Sequence, residues 1–392
     1  MQTFASVHAG ESIQTAINNS SIGTIIGIEA GDYFEDLVIN KSIELQVQSI
    51  IPGGRRRPNW SPVRVTGKAQ TLTMLGSNIR ITGLTFQSID SSQTIVVDKG
   101  TQNILDKVSI LGNSKTGQHR GVAANGKSLA IIQNHIDDCW LPKRDAQAVA
   151  CWDGTDGLVI FDSYLGGGAQ SFMSGGSNPQ NADRIPKNIK ISNCTFGKNS
   201  NWYDLGAQIK CAFEVKNGIN IFVNECDFQY AGNAEGQGAY LIVLTPRDQT
   251  PKGQPGRAPY TVVKDIEIHK CTGSHASGIA SILGSDSNFP TQTTTNITIR
   301  DFKAMDIDSS GVWKGRGRLF EFDRAPQRVT IEDVEVDGRN LNAQFYFIGK
   351  PPLGLIARNL QLPETKYGLK IDNGGQGLEA VKAYAPDAIL DL

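Results

Sequence analysis

The chain has 392 residues, and its 38 basic side chains nearly cancel 39 acidic ones. That balance excludes the broad positive field of a general nucleic-acid binder, and no apolar run reaches the roughly 18 residues a membrane-spanning helix needs. Glycine is in excess, 42 residues in all, and aromatic residues make up only 7%, a composition that predicts a turn-rich β protein.

Residues 1–10 (MQTFASVHAG) carry neither a basic stretch nor an apolar core of the kind that directs export, so no signal peptide is read in them. Residues 12–18 (SIQTAIN) read as one or two amphipathic helical turns, and 1–22 as an N-terminal cap; 24–33 and 37–45 read as the first strands. Residues 53–58 (GGRRRP) form a basic loop, of a kind that touches phosphate, an acidic glycan or a partner, or is simply solvated.

A repeat then organises the chain. The octet apolar-x-apolar-x-polar-apolar-x-apolar recurs at 79–86 (IRITGLTF), 158–165, 189–196 (IKISNCTF), 221–228, 266–273, 297–304, 329–336 (VTIEDVEV) and 355–362, with weaker copies near 104–110 and 129–136. Alternation of period two marks a strand with one buried face. The polar fifth residue (Gly83, Asp162, Asn193, Glu225, Lys270, Asp301, Asp333, Asn359) divides each octet into two strands meeting at a bend, which Asn, Asp and Gly tolerate. Another short strand follows each octet, at 94–98, 148–152, 211–215, 240–244, 278–283, 318–322, 344–348 and 368–371.

Three strands per repeat describe a coil of about 25 to 32 residues, and a coil that short buries its apolar face only by stacking on its neighbours. Cys194, Cys226 and Cys271 share the sixth octet position, as a buried ladder of reduced thiols would; the six cysteines include no CxxC pair. The coils span 23–375, and 376–392 closes the chain as a C-terminal cap or a partner-contact tail.

These octets and their intervening strands resemble the right-handed parallel β-helix of the pectin lyase-like superfamily, over about residues 12–373. The resemblance implies an all-β fold: a single parallel β-helix of about 10 to 11 coils with an N-terminal capping helix. It implies two functional classes, polysaccharide lyases and hydrolases on one side and phage tailspike-type virion proteins on the other, and hence an extracellular or virion location. Lateral homotrimers are common among such spikes, although the strand faces here show no conspicuous exposed apolar stripe.

Fold leaves the function open, so the candidate site is argued from residues. Outward positions of the second strand carry Asp98, Asp153, Glu214 and Glu321, and 212–216 (AFEVK) is a near copy of 319–323 (LFEFD). Glu214, Glu321 and Asp153 are the candidate catalytic carboxylates: pairs about 5 to 10 Å apart act as acid and base on a glycoside. Clustered carboxylates also bind calcium against an acidic sugar, and no other cofactor is implied. Solvated outward charges account for the same residues.

Long loops at 174–186, 245–260 and 284–294 flank this face. Arg184, Lys210, Arg247 and Arg257 suit carboxylate or sulfate groups, while Trp202, Tyr203 and Trp313 suit stacking on a sugar ring or shielding of the coil edge. His269 and Cys271 point to opposite faces, so no metal is expected there. Of the polygalacturonase-type set only Asp137-Asp138 is present. The pectate lyase arginine motif stops at Arg184-Ile185-Pro186, with Ile189 where its second arginine belongs, so neither active site carries over.

Two readings follow. The first is a protein binding or degrading a surface polysaccharide along the groove of second strands, lyase and hydrolase being equally open. The second is a non-catalytic virion component, a spike or capsid decoration, whose partners are other virion proteins.

Overall fold

The computed structural model describes residues 3–48, 61–251, 254, 258–286 and 291–391. The arginine loop at 53–58, Arg257 and Leu392 lie outside the described residues. The chain divides into two compact units, 1–172 with 190–208, and 173–189 with 209–392.

In the first unit, Arg80–Thr82, Ile104–Asp106, Ala130–Ile132 and Val159–Phe161 stack as parallel strands in register. A second ladder runs through Leu37–Ile39, Leu72–Met74, Thr94–Asp98, Arg120–Ala124 and Gln147–Cys151. The weaker octets near 104 and 129 are thus full rungs. In the second unit, Gly218–Asn224, Val263–Ala276, Thr295–Asp308, Gln327–Arg339 and Ile356–Gln361 form the octet ladder. Phe213–Val215, Tyr240–Leu244, Gly278–Leu283, Arg318–Asp323, Ala343–Ile348 and Leu369–Ile371 form the other. Each unit is built as a parallel β-helix, and the chain is all-β.

The bend at the polar fifth residue has a backbone signature. Gly83, Asp162, Asn193, Glu225, Lys270, Asp301, Asp333 and Asn359 all adopt left-handed φ, between 47° and 78°. So do the residues just before each octet: Asn78, Gly157, Asn188, Asn220, Asp265, Asn296, Arg328 and Gly354. A left-handed non-glycine residue costs about 1 kcal/mol or more. Hydrogen bonds between equivalent side chains of neighbouring coils offset part of it: Asn296 Nδ2 donates to Asp265 Oδ1 at 2.6 Å, Asn220 Nδ2 to Asn188 Oδ1 at 2.7 Å, and Asn193 Nδ2 to Asp162 Oδ1 at 3.1 Å.

Between the bends the inward positions form apolar ladders, Ile81, Leu105, Ile131 and Ile160 in the first unit and Val223, Ile268, Ile299 and Ile331 in the second, all buried. Each such side chain contributes about 1.5 to 3 kcal/mol of burial. Aromatic rings continue the pattern, with Phe320 5.3 Å from Phe345 and Phe322 5.4 Å from Phe347. All six cysteines are buried and none forms a disulfide; Cys194, Cys226 and Cys271 lie inward as the sixth octet position requires, with Cys226 N donating to Cys271 Sγ at 3.4 Å.

Short helices flank the coils. Ile13–Asn19 is capped by Ser12, whose Oγ accepts from Thr15 N at 3.1 Å, and the Glu35 carboxylate accepts from the amides of Ile13 and Gln14; Ile13 and Ile17 are buried. Leu378–Tyr384 buries Val381, and Ile389–Asp391 pairs in parallel with Ile356–Arg358, so the closing apolar residues add a rung. No helix among the described residues is long and apolar enough to cross a membrane.

Val159 and Phe161 are 38% and 45% exposed and lie in register between Ala130 and Ile132 on one side and Lys190 and Ser192 on the other, so the first unit carries a small outward apolar patch that ends at polar neighbours and is no stripe.

Candidate functional site

The second unit's shorter ladder sets Glu214, Val243, Ser281 and Glu321 side by side, one from each successive strand. Loop residues Glu235–Gln237, Arg247, Arg316 and Arg324 close around this row, enclosing a cavity of about 360 Å³ that Asp323 also lines.

Glu321, the last residue of that row, is buried in the cavity lining. Arg316 Nη1 (2.8 Å) and Ser281 Oγ (3.4 Å) donate to Oε1; Tyr240 OH (3.0 Å) and Arg318 donate to Oε2. A carboxylate offers about four acceptor sites, and these donors occupy them. Arg318 also lies over the ring of Tyr346, 3.4 Å from its centroid. Glu214 is buried too, its Oε2 3.4 Å from Lys216 Nζ. Neither carboxylate is the solvated outward charge that strand alternation alone would allow.

Exposure is asymmetric. The side chains of Glu214, Glu321 and Asp286 are 2%, 5% and 7% exposed, whereas those of Arg316, Arg247 and Arg324 are 42%, 45% and 39% exposed. Those three carboxylates lie underneath while the guanidinium groups face outward, with Arg247 Nη1 4.0 Å from Asp286 Oδ2; Glu235, 65% exposed, and Asp323, 23% exposed, add outward negative charge to the same lining.

Asp323 behaves differently. Burial raises its pKa, Arg324 opposes the rise, and Glu321 adds to it. Its Oδ1 is buried without a hydrogen bond, with Arg324 Nε 3.8 Å away. Sequence reasoning passed over it, yet the signal was there: the alternation that turns Glu321 outward turns Asp323 outward two residues later.

The other expected residues are dispersed. Lys210 is buried, its Nζ 2.5 Å from Glu235 Oε2 at the cavity rim. Arg184 ends an exposed turn, Ala182–Arg184. Trp313 packs against Tyr230 at 4.7 Å and lies 6.0 Å from His275. These belong to the second unit, whereas Asp153, Trp202 and Tyr203 belong to the first.

Trp202 is a correction. At 1% exposure it offers no face to a sugar; its Nε1 donates to Asp138 Oδ1 at 3.3 Å, and its ring lies 6.5 Å from Trp140. Beside it, burial pushes the Tyr203 phenol up. Asp138 is pushed up to about 6, first by burial and then by the neighbouring Asp137. Asp98 is fully buried against Asn103 Nδ2 at 2.7 Å, and Asp153 is partly exposed.

Among the described residues no group of three or more His, Cys, Asp or Glu is arranged to hold a metal. His269 Nε2 instead meets Asp301 Oδ2 at 2.6 Å, while Cys271 is buried inward, as the octet register predicts.

No protein-family model and no curated protein matches the chain. Solved structures do. ORF18 of Geobacillus virus E2 matches with 15% identity and a TM-score of 0.55, over 84% of this chain and 58% of that one. The catalytic domain of a GH87 alpha-1,3-glucanase matches with 12% identity and a TM-score of 0.52, over 100% of this chain and 68% of that one. The A-module of the Azotobacter vinelandii mannuronan C-5 epimerase AlgE4 matches with 10% identity and a TM-score of 0.52, over 97% and 95% of the two chains. The chain thus spans little more than half the length of the viral protein. At these identities the likeness is one of fold alone: these structures and this chain share a parallel β-helix architecture.

Proposed function

We propose that the protein binds an anionic polysaccharide at the cavity of the second unit. The observation that carries this reading is the layering of exposed guanidinium groups, Arg247, Arg316 and Arg324, over buried carboxylates. Planar guanidinium forks match carboxylate and sulfate groups, and the buried anions hold the forks in place before a ligand arrives. Glu321, with its acceptor sites filled, is the anchor of this arrangement. Asp323 is the proton-transfer group for any cleavage. Glu214 stands three strands away, about 14 Å at about 4.8 Å per strand, too far to pair with it or with Glu321 across one glycosidic bond, which corrects the expected carboxylate pair. Two neighbours in fold, a glucanase and a mannuronan epimerase, act on polysaccharides by their names, and the polymer of the second is a polyuronate, which supports a polysaccharide ligand; its charge is argued from the arginines. Such a ligand places the protein outside the cell or on a virion.

Binding to alginate, polygalacturonate and hyaluronan, with dextran as the neutral control, tests the reading. The double variant Arg247→Ala/Arg324→Ala is expected to weaken anionic binding about tenfold and flatten its salt dependence. Asp323→Asn is expected to retain binding and to abolish any release of reducing ends or unsaturated products. Equal affinity for dextran, or an unaltered double variant, would sink the proposal.

A second reading, a laterally assembled virion component, is favoured by the small outward patch of Val159 and Phe161. A homotrimer that Phe161→Ser dissociates in sedimentation velocity supports it; a monomer at every concentration removes it.

A further inference from the structure

We infer that Tyr230, His275 and Trp313 form a stacking platform for a pyranose ring, a subsite adjoining the charged cavity. The inference rests on the saccharide reading above and deepens it. The three rings form one cluster: Tyr230 lies 4.6 Å from His275 and 4.7 Å from Trp313, and His275 meets Trp313 edge-on at 6.0 Å. The loop that begins at Tyr230 supplies Glu235, Gly236 and Gln237 to the cavity, and the turn that holds Trp313 supplies Arg316. From Trp313 to Arg316 the backbone spans at most about 11 Å, and Arg316 Nη2 donates to Gly236 O at 3.0 Å, which ties the two loops together at the cavity edge.

Tyr230 and His275 have φ of 62° and 58°, the left-handed corner that Asp306, in register with His275 one coil on, also adopts at 53°. The coil register imposes it, through Tyr230 N donating to Ser274 O and Ala231 N to His275 O, both at 3.0 Å. An aromatic residue that only shields the coil edge ends up enclosed, as Trp202 does at 1% exposure. Tyr230, His275 and Trp313 instead remain partly exposed, beside Val312 at 61%. A partly exposed aromatic surface next to a polar cavity suits the C–H face of a sugar whose charged or hydroxyl groups enter the cavity.

The test is calorimetric titration with hexasaccharides of alginate, polygalacturonate and hyaluronan. At least one is expected to bind. Trp313→Ala and Tyr230→Ala should each weaken it about three- to tenfold without changing its salt dependence, and Trp313→Phe should recover most of the loss. Unchanged affinity in both alanine variants overturns the platform while leaving the cavity reading to the arginine variant. A loss that Trp313→Phe does not recover is structural and overturns it as well. Binding that needs Trp313 but ignores Arg247→Ala/Arg324→Ala overturns the cavity reading and keeps the platform. No binding of any of the three overturns both.

Discussion

Glu321 in the second unit and Asp138 in the first are carboxylates drawn out of water and met in opposite ways. Glu321 receives two guanidinium groups, a phenol and a serine hydroxyl. Asp138 receives the indole of Trp202 at 3.3 Å and has Asp137 beside it, a second negative charge whose Oδ1 accepts Asp138's own amide. Its pKa is pushed up to about 6. Burial sets the demand for compensation, and the number and charge of the donors decide how it is met.

The largest expected effect comes from removing the better-satisfied of the two. Glu321→Ala leaves Arg316, Arg318 and the buried Tyr240 hydroxyl facing one another without their common acceptor. Breaking a buried ion-pair network by deleting one partner costs about 3 to 5 kcal/mol, to be read by urea denaturation of the second unit's signal. A loss below about 1 kcal/mol would mean that water replaces the carboxylate there, and the contrast with Asp138 would collapse.

Asp138→Asn has the opposite sign. The folded-state midpoint of Asp138, about 6, lies above the ordinary 3.8, so the fold prefers the protonated acid. That stabilisation is complete below about pH 3.8 and is lost as pH rises through about 6. The asparagine variant stays neutral throughout. Its stability relative to the parent should change little below pH 4 and rise by about 3 kcal/mol above pH 7. An advantage that does not vary between pH 4 and pH 8 would show that Asp138 titrates like an exposed carboxylate.

The same contrast marks how far sequence reading reaches. The octets and their bends were legible because they repeat: a polar fifth residue in a period-two pattern calls for a reversal, and each of those positions is left-handed. Cys271 inward and His269 outward followed from parity alone. Parity also placed Glu214 and Glu321 on the outer face, but not their burial, which comes from loops such as 235–237 and 316 that belong to no repeat. Trp202 failed for that reason. A tryptophan in a loop reads as exposed until the loop, here the short helix Asn201–Asp204, folds its ring back onto Asp138.

The smallest predicted effect isolates that ring. Trp202→Phe removes the Nε1 donor and some packing against Trp140. The packing loss is independent of pH, but the hydrogen bond matters more to an ionised carboxylate than to a neutral acid. The variant should therefore cost about 1 kcal/mol more at pH 8 than at pH 4, and should move the Asp138 midpoint further up. In an Asp138→Asn background the pH-dependent part must vanish, leaving the packing cost alone. If Trp202→Phe costs the same at both pH values in the parent, the 3.3 Å contact supports no charge. Asp138 would then be governed by burial and Asp137 against the opposing pull of His135 and the Trp140 indole, and the difference from Glu321 would be one of how strongly donors act rather than of Trp202 alone.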